Sequence, residues 1–216
     1  IGNQGTNTFY KASKDSPMKL WVNDFDDNGT IEQITTQFKD GKDYPILMKK
    51  ELTGQMVKLK KQNLKASEYA SKSIDELFSK EVIEKSIVKK LNIGETIIAV
   101  NEGNGVFNIK SLPNHVQFSC VCGIVCEDVN NDGNMDLIMA GNNFEFKPQF
   151  SRLDSNYGSV LLNNGNLDFE WQDYEKSGFF IKNEVKHLSQ FKDKNGKTYI
   201  IAAINNSKPK IFLRND

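Results

Sequence analysis

Two nine-residue runs carry the side chains whose types and spacing could do chemistry. Asp24-Phe25-Asp26-Asp27-Asn28-Gly29-Thr30-Ile31-Glu32 and Asp128-Val129-Asn130-Asn131-Asp132-Gly133-Asn134-Met135-Asp136 match position for position. Each sets an oxygen-bearing side chain at positions 1, 3, 5 and 9, a glycine at 6 and a main-chain carbonyl at 7. A short chain can wrap a calcium ion only by alternating ligands in this way, because calcium takes six to eight hard oxygens at about 2.3–2.6 Å. The expected ligands are Asp24, Asp26, Asn28, the Thr30 carbonyl and Glu32 in the first loop. In the second they are Asp128, Asn130, Asp132, the Asn134 carbonyl and Asp136. An EF-hand is excluded, since position 12 is Thr35 or Met139 where a bidentate Glu is needed, and the following residues read as strand rather than helix. The plainer alternative is an Asx-rich hairpin without metal, because Asp, Asn and Gly favour such turns unaided. The duplication favours two structural Ca²⁺ sites. Asp193-Lys194-Asn195-Gly196 brings its glycine too early and reads as an ordinary hairpin.

Other candidates are weaker. Cys120, Cys122 and Cys126 alternate along a strand and share a face with Ile124, which reads as core; a metal would need further Cys or His at ligand spacing. His115 and His187 have no spacing partner, and no nucleophile elbow, zinc helix or glycine-rich phosphate loop occurs, so catalysis is unsupported. Between 144 and 157, aromatic and charged side chains interleave in a long connection. Phe146, Arg152, Asp154 and Tyr157 are the candidate receptors there for a carbohydrate or peptide, with packing of the Phe residues onto the core as the alternative.

These residues must be positioned by 216 residues in which 28 basic and 28 acidic side chains cancel. The balance gives no reason to expect nucleic acid as a partner, and no apolar run approaches the roughly 18 residues of a direct membrane span. Three clustered cysteines cannot staple distant loops, which excludes a disulfide scaffold. Most of the chain reads as short strands bounded by turns such as Asn28-Gly29, Asp132-Gly133 and Asn164-Gly165. The interruption is 46–90, where Leu, Lys, Glu and Met at helical spacing predict two to four short amphipathic helices, with a capping box at Ser73-Ile74-Asp75-Glu76. This stretch holds 11 Lys and 6 acids, so it carries +5 and the remainder −5. The first ten residues lack a Met start, a basic segment and an apolar core, so a targeting segment is expected upstream or already removed.

A second rhyme joins 99–107 to 161–169, each a strand, a glycine turn and an aromatic-bearing strand. Combined with the acidic loops, the repeating unit becomes strand, loop, strand, connection, strand, turn, strand, which is a four-stranded antiparallel blade. The expected organisation is a first blade with inner strands in 1–45, a helical insert at 46–92 and outer strands in 93–115. A second blade follows at 116–176 and a partial third at 177–216.

With the loops and hairpins in place, the chain resembles the FG-GAP or VCBS repeats of integrin-α-type β-propellers. It is similar in more detail to bacterial VCBS-repeat proteins of the ASPIC/UnbV group. The likeness rests on Tyr44-Pro45, the lysine-rich run at 60–70, Ile74 to Phe78, the hairpin at 101–107, and the Arg152-Leu153-Asp154 and Tyr157-Gly158 pairs. It implies an all-β fold: a partial β-propeller of about three four-stranded antiparallel blades with an α-helical insert, out of about seven in a full ring. It also implies remaining propeller blades or a partner protein to cover the open edges. Asn28 and Asn130 each remove a charge that family loops usually carry, placing calcium affinity at the weak end suited to extracellular fluid. The expected function is a non-catalytic, calcium-stabilised binding or assembly module of an exported protein at the bacterial cell surface, periplasm or outer membrane, with a glycan or protein as ligand. The alternative is part of a surface carbohydrate-processing enzyme whose catalytic residues lie outside this chain.

Overall fold

Short β-branched and aromatic runs bounded by Gly, Asn and Asp build most of the structure, a computed structural model that describes residues 1–214. The expectation for 177–216 therefore includes two residues outside the described ones. Strand exceeds helix about two to one, 37% against 18%, and the strands form four small antiparallel sheets, so the fold is mainly β. Two compact units divide the chain, one of 10–94 and one of 1–9 with 95–216. In sequence, the smaller unit is inserted into the larger.

In the smaller unit, β1 (Met18–Asn23), β2 (Glu32–Lys39) and β3 (Lys42–Pro45) form a meander, and β4 (Ile87–Leu91) joins the free side of β1. Asp40 and Gly41 turn β2 into β3 with φ of 50° and 80°, the left-handed pair that a two-residue hairpin requires. Five short helices lie between β3 and β4: α1 (Lys49–Gln55), α2 (Val57–Gln62), α3 (Ala66–Ala70), α4 (Ile74–Leu77) and α5 (Lys80–Lys85). The count exceeds the expected two to four because extended residues at Met56, Lys65, Ser73 and Ser79 break the run into single turns. Leu52, Met56, Leu59, Tyr69, Ile74 and Leu77 pack with Trp21, Phe25 and Ile34 in one core. The helical stretch is thus the second layer of this unit, burying one face of the sheet. At the start of α4 the Glu76 carboxylate accepts from both the amide and the hydroxyl of Ser73, each at 2.8 Å.

The first sheet differs from the blade expected. The strands at 93–115, β5 (Ile97–Gly103) and β6 (Val106–Ser111), pair only with each other and belong to the larger unit. Tight hairpin closure puts β3 on one edge of the first sheet, and β4 fills the other before the chain reaches β5. Gln117 instead fastens the β5–β6 hairpin: its side chain accepts from the Thr96 amide at 2.9 Å and donates to the Thr96 carbonyl at 2.8 Å.

The second sheet is a four-stranded antiparallel meander within 116–176. It consists of β7 (Val121–Glu127), β8 (Asp136–Gly141), β9 (Ser159–Asn163) and β10 (Phe169–Gln172), in order β10-β9-β8-β7. A short helix, α6 (Tyr174–Ser177), leads to the three-stranded meander β11 (Val185–Lys192), β12 (Thr198–Ile204) and β13 (Lys210–Leu213). Val125, Ile138 and Val160 of one sheet pack on Val185, Leu188 and Ile200 of the other. Gly123 permits the approach, since a Cβ there would come within 2.6 Å of the Leu188 amide nitrogen. The cysteine face departs from the reading as core. Val121, Gly123 and Val125 point inward, leaving Cys122 and Cys126 exposed, and only Cys120, just before the strand, is buried. The branched valines occupy the packed side of the pleat and the intervening thiols are left outside.

In a Trp171→Phe background, where Trp21 alone reports on unfolding, Leu52→Ala costs ~2–5 kcal/mol in urea denaturation because Leu52 is fully buried. Leu64→Ala, at an exposed position, changes stability by less than about 0.5 kcal/mol. The Ser73 amide, then its hydroxyl, then Lys42 hold the Glu76 carboxyl down at about 2. A depressed carboxyl stabilises the fold above its unfolded value and loses that effect as pH falls through its folded value. Glu76→Gln therefore lowers the melting temperature at neutral pH, and the gap from wild type closes as pH drops from about 4.5 toward about 2.

Candidate metal loops and the connection beside them

Each acidic loop begins on a carboxylate that gathers main-chain amides. Asp24 accepts from the amides of Asn28 (3.0 Å) and Gly29 (2.7 Å), and Asp128 accepts from those of Asp132 (3.1 Å) and Gly133 (2.9 Å). The fifth side chain then accepts from the seventh amide: Asn28 from Thr30 and Asp132 from Asn134, both at 2.7 Å. The ninth carboxylate folds back on the second amide, Glu32 onto Phe25 at 2.9 Å and Asp136 onto Val129 at 2.8 Å. Backbone conformation repeats as well, with φ of 58° and 60° at Asp27 and Asn131, and 86° and 89° at Gly29 and Gly133. Ile31 and Met135, the eighth residues, are 62% and 61% exposed, so equivalent side chains leave the two loops alike. The sequence repeat is therefore a structural repeat down to single hydrogen bonds.

The electrostatics follow from this geometry. The Gly29 amide, joined by those of Asn28, Asp27 and Asp26, holds the Asp24 carboxyl below the usual carboxylate range despite partial desolvation. In the second loop the Asn134 amide and the Asn130 side chain lower Asp132 in the same way. The loops differ at position 3. Asp26, Asp24 and Glu32 bring one oxygen each within 4.8 Å of one another, the only such group among the described residues. Two oxygens bound to one calcium at about 2.4 Å can be no farther apart than about 4.8 Å, a limit that each pair among the three respects. Asp26 Oδ1 is also buried without a hydrogen-bond partner. The Lys58 ammonium reaches the Asp26 main-chain carbonyl and not its carboxylate. In the second loop Asn130 donates to Asp132 at 2.9 Å, and both Asp136 oxygens are engaged, one by Val129 and one by the Asn163 amide at 2.8 Å. That loop is closed by its own hydrogen bonds.

Of the side chains expected to receive a ligand, the structure brings Arg152 and Asp154 together. They are 4.0 Å apart and about half exposed, and the Arg152 guanidinium lies over the Phe144 ring at 4.1 Å. Tyr157 belongs to a different cluster, with Tyr174, Phe180 and Lys182. Phe150 is buried and stacks on Phe9, the packing alternative. Phe146 is half-buried. What positions this connection is a buried amide network that no spacing rule pointed to. Fully buried Asn142 donates to the carbonyls of Asn156 (2.7 Å) and Asn183 (3.2 Å) and accepts from the Asn156 amide (2.9 Å). Asn156 in turn donates to the Cys120 carbonyl at 3.1 Å. Glu184, 2% exposed, accepts from Phe144, Lys186 and Asn205. Against the upward pull of burial, these donors hold its carboxyl below the usual range. A cleft of about 410 Å³ lies elsewhere, between the second and third sheets, where Val129, Phe179 and Ile200 form an apolar floor beside Asn130, Lys176 and Arg214. Arg214 pairs with Glu127 at 2.9 Å and reaches Asn131 of the second loop.

Among the described residues no helix is long and apolar enough to cross a membrane. Compared with family models, curated proteins and solved structures, the chain matches none.

The network makes a prediction. Asn142 holds φ of 86°, which glycine adopts without strain, so Asn142→Gly isolates the loss of the amide. Several buried partners are then left unpaired, and the cost is roughly 1–3 kcal/mol. Urea denaturation of the larger unit, followed by Trp171 in a Trp21→Phe background, measures it.

Proposed function

We propose that this chain is a calcium-stabilised segment of a β-propeller that serves as a binding or assembly module of an exported bacterial surface protein. The observation that carries the reading is the set of four backbone-to-side-chain hydrogen bonds that the two acidic loops share, the first loop also collecting three carboxylates that include an unpaired buried oxygen. Asp24, Asp26 and Glu32, with Asn28 and the Thr30 carbonyl completing the set, would hold the ion. Calcium would neutralise their crowded charge and stiffen the β1–β2 hairpin. Asp128, Asn130, Asp132, the Asn134 carbonyl and Asp136 form the weaker second site, because fewer of their oxygens stand free of hydrogen bonds. With an amide in each loop, both sites belong to the affinity range of roughly 10⁻⁴–10⁻³ M found in extracellular modules, where calcium is plentiful.

The propeller reading is supported by the second sheet, a four-stranded meander with its loop between the first two strands, and by the way β11 lies against β7. First strands of successive sheets lie side by side when blades converge on an axis. Arg152 and Asp154, exposed on a connection held by buried amides, are the residues offered to a glycan or peptide. Remaining blades or a partner protein would cover the open sheet edges.

Thermal melting of the intact chain in EDTA and in millimolar calcium tests the metal. At a calcium concentration ten times the dissociation constant, one site adds about 1.4 kcal/mol. Asp26→Ala removes the larger part of that gain, and a midpoint indifferent to calcium would sink the proposal. On a glycan array, Arg152→Ala with Asp154→Ala is expected to abolish binding while leaving the melting temperature unchanged. Release of sugar from a bound glycan would move the chain to the enzyme class.

A further inference from the structure

Cys120 and Cys122 are separated by one residue, and on a regular strand side chains two residues apart stand about 6.6 Å apart. Here their Sγ atoms are 3.8 Å apart. The cause is local. Cys120 precedes β7, and the register of β7 against β8 slips between Val121 and Gly123, so Cys122 sits in a bulge that turns its side chain toward its neighbour. The two thiols are unequal in access, Cys120 being buried and Cys122 exposed. The Cys120 carbonyl accepts from the Asn142 amide at 3.1 Å and the Asn156 side chain at 3.1 Å, which fixes the backbone of the inner thiol.

We propose that Cys120 and Cys122 form a reversible disulfide, made by exchange with a small-molecule disulfide, with Cys122 as the attacking thiol and Cys120 as the resolving one. The Cys122 thiolate attacks one sulfur of the small disulfide, whose S–S bond breaks, and the released thiolate takes a proton from water. Cys120 then gives up its proton and attacks Cys122 Sγ, expelling the second small thiol. One disulfide is reduced to two thiols, and two protein thiols are oxidised to one disulfide. Side-chain rotation must close the 3.8 Å separation to about 2.05 Å. The charges facing the pair favour this order of events. The Cys120 thiol and then the Lys186 ammonium on β11 draw the Cys122 thiol down to about 7, against burial and Glu184. Contact with Cys122, followed by burial, pushes the Cys120 thiol up. Closure of the ring braces the start of β7 at the root of the connection that presents Arg152 and Asp154.

The test uses the reduced, intact chain incubated with oxidised glutathione. The thiol titre is expected to fall from three to one, and the tryptic peptide that holds the pair to become two hydrogen masses lighter with no glutathione attached. Cys120→Ser is expected to stop at a stable glutathione adduct on Cys122, with an unchanged melting temperature showing that the fold survives. Iodoacetamide labelling of Cys122 in wild type is expected to reach half its maximal rate at a pH of about 7. A wild-type chain that retains glutathione on Cys122, pairs a different cysteine or keeps all three thiols overturns the proposal.

Discussion

A carboxylate taken out of water has to be met by donors, and in both loops the donor nearest to hand is the loop's own backbone. Glu32 is 4% exposed and Asp136 fully buried. Each can be tolerated only if the chain seven residues earlier returns an amide to it, and Phe25 supplies that amide in the first loop. Val129 supplies the equivalent amide in the second loop. That single bond closes the hairpin and turns the second side chain of the loop inward. Phe25 joins the core with Ile34 and Leu52, and packs on Phe78 at 4.7 Å, while Val129 packs against the cluster of Val125 and Ile138. Loop, strand pair and core are thereby tied at one point. The left-handed residues at positions 4 and 6 are the backbone's way of reaching it.

The same constraint is answered with different spare capacity in the two units. Asp136 uses its second oxygen on the Asn163 amide, so the second loop is joined to β9 and the sheet gains a cross-link between its loop and its third strand. In the smaller unit the place of β9 is taken by β3, whose pairing with β2 runs from Thr36 opposite Pro45 to Lys39 opposite Lys42 and stops short of Glu32. Glu32, one methylene longer, instead brings an oxygen to within 4.8 Å of Asp24 and Asp26. Three carboxylates at that separation repel one another unless a cation lies among them. One loop spends its acidity on linking strands and the other keeps it concentrated, although their sequences run in parallel.

The loops, the four-stranded second sheet and the helical segment were legible because each is a local pattern: alternating oxygens about a glycine, short strands between turn residues, and apolar side chains at helical spacing. Partnering was not legible. The rhyme between Asn101 and Asn163 is real at the turn, where each side chain accepts from the amide two residues on, yet only Asn163 meets an acidic loop. The Asp40-Gly41 turn could have been found, and with it the strand that takes the sheet edge assigned to 93–115. Alternation identified one face of β7 but could not say which face was buried. Valine against cysteine was the signal, and a branched side chain fills a packed sheet face better than a thiol does.

The connection between β8 and β9, residues 142–158, shows what replaces secondary structure when a long segment must keep its shape. It contains only one turn of helix and an isolated bridge between Asn143 and Leu153. Segments of this length without regular structure in a compact unit are usually either functional or disordered. Here the Asn142 side chain bonds both the carbonyl and the amide of Asn156, the Asn156 side chain reaches the Cys120 carbonyl, and Glu184 holds the Phe144 amide. Side-chain amides have taken over the pairing that a strand would supply. Each is buried, so breaking any one leaves a polar group with no water to turn to, and the segment holds one path. Arg152 and Asp154 are consequently exposed side chains on a fixed backbone, and their ion pair is too solvated to stabilise the fold appreciably. A charged pair that contributes little to folding and is held in place by so much buried hydrogen bonding is available for recognition.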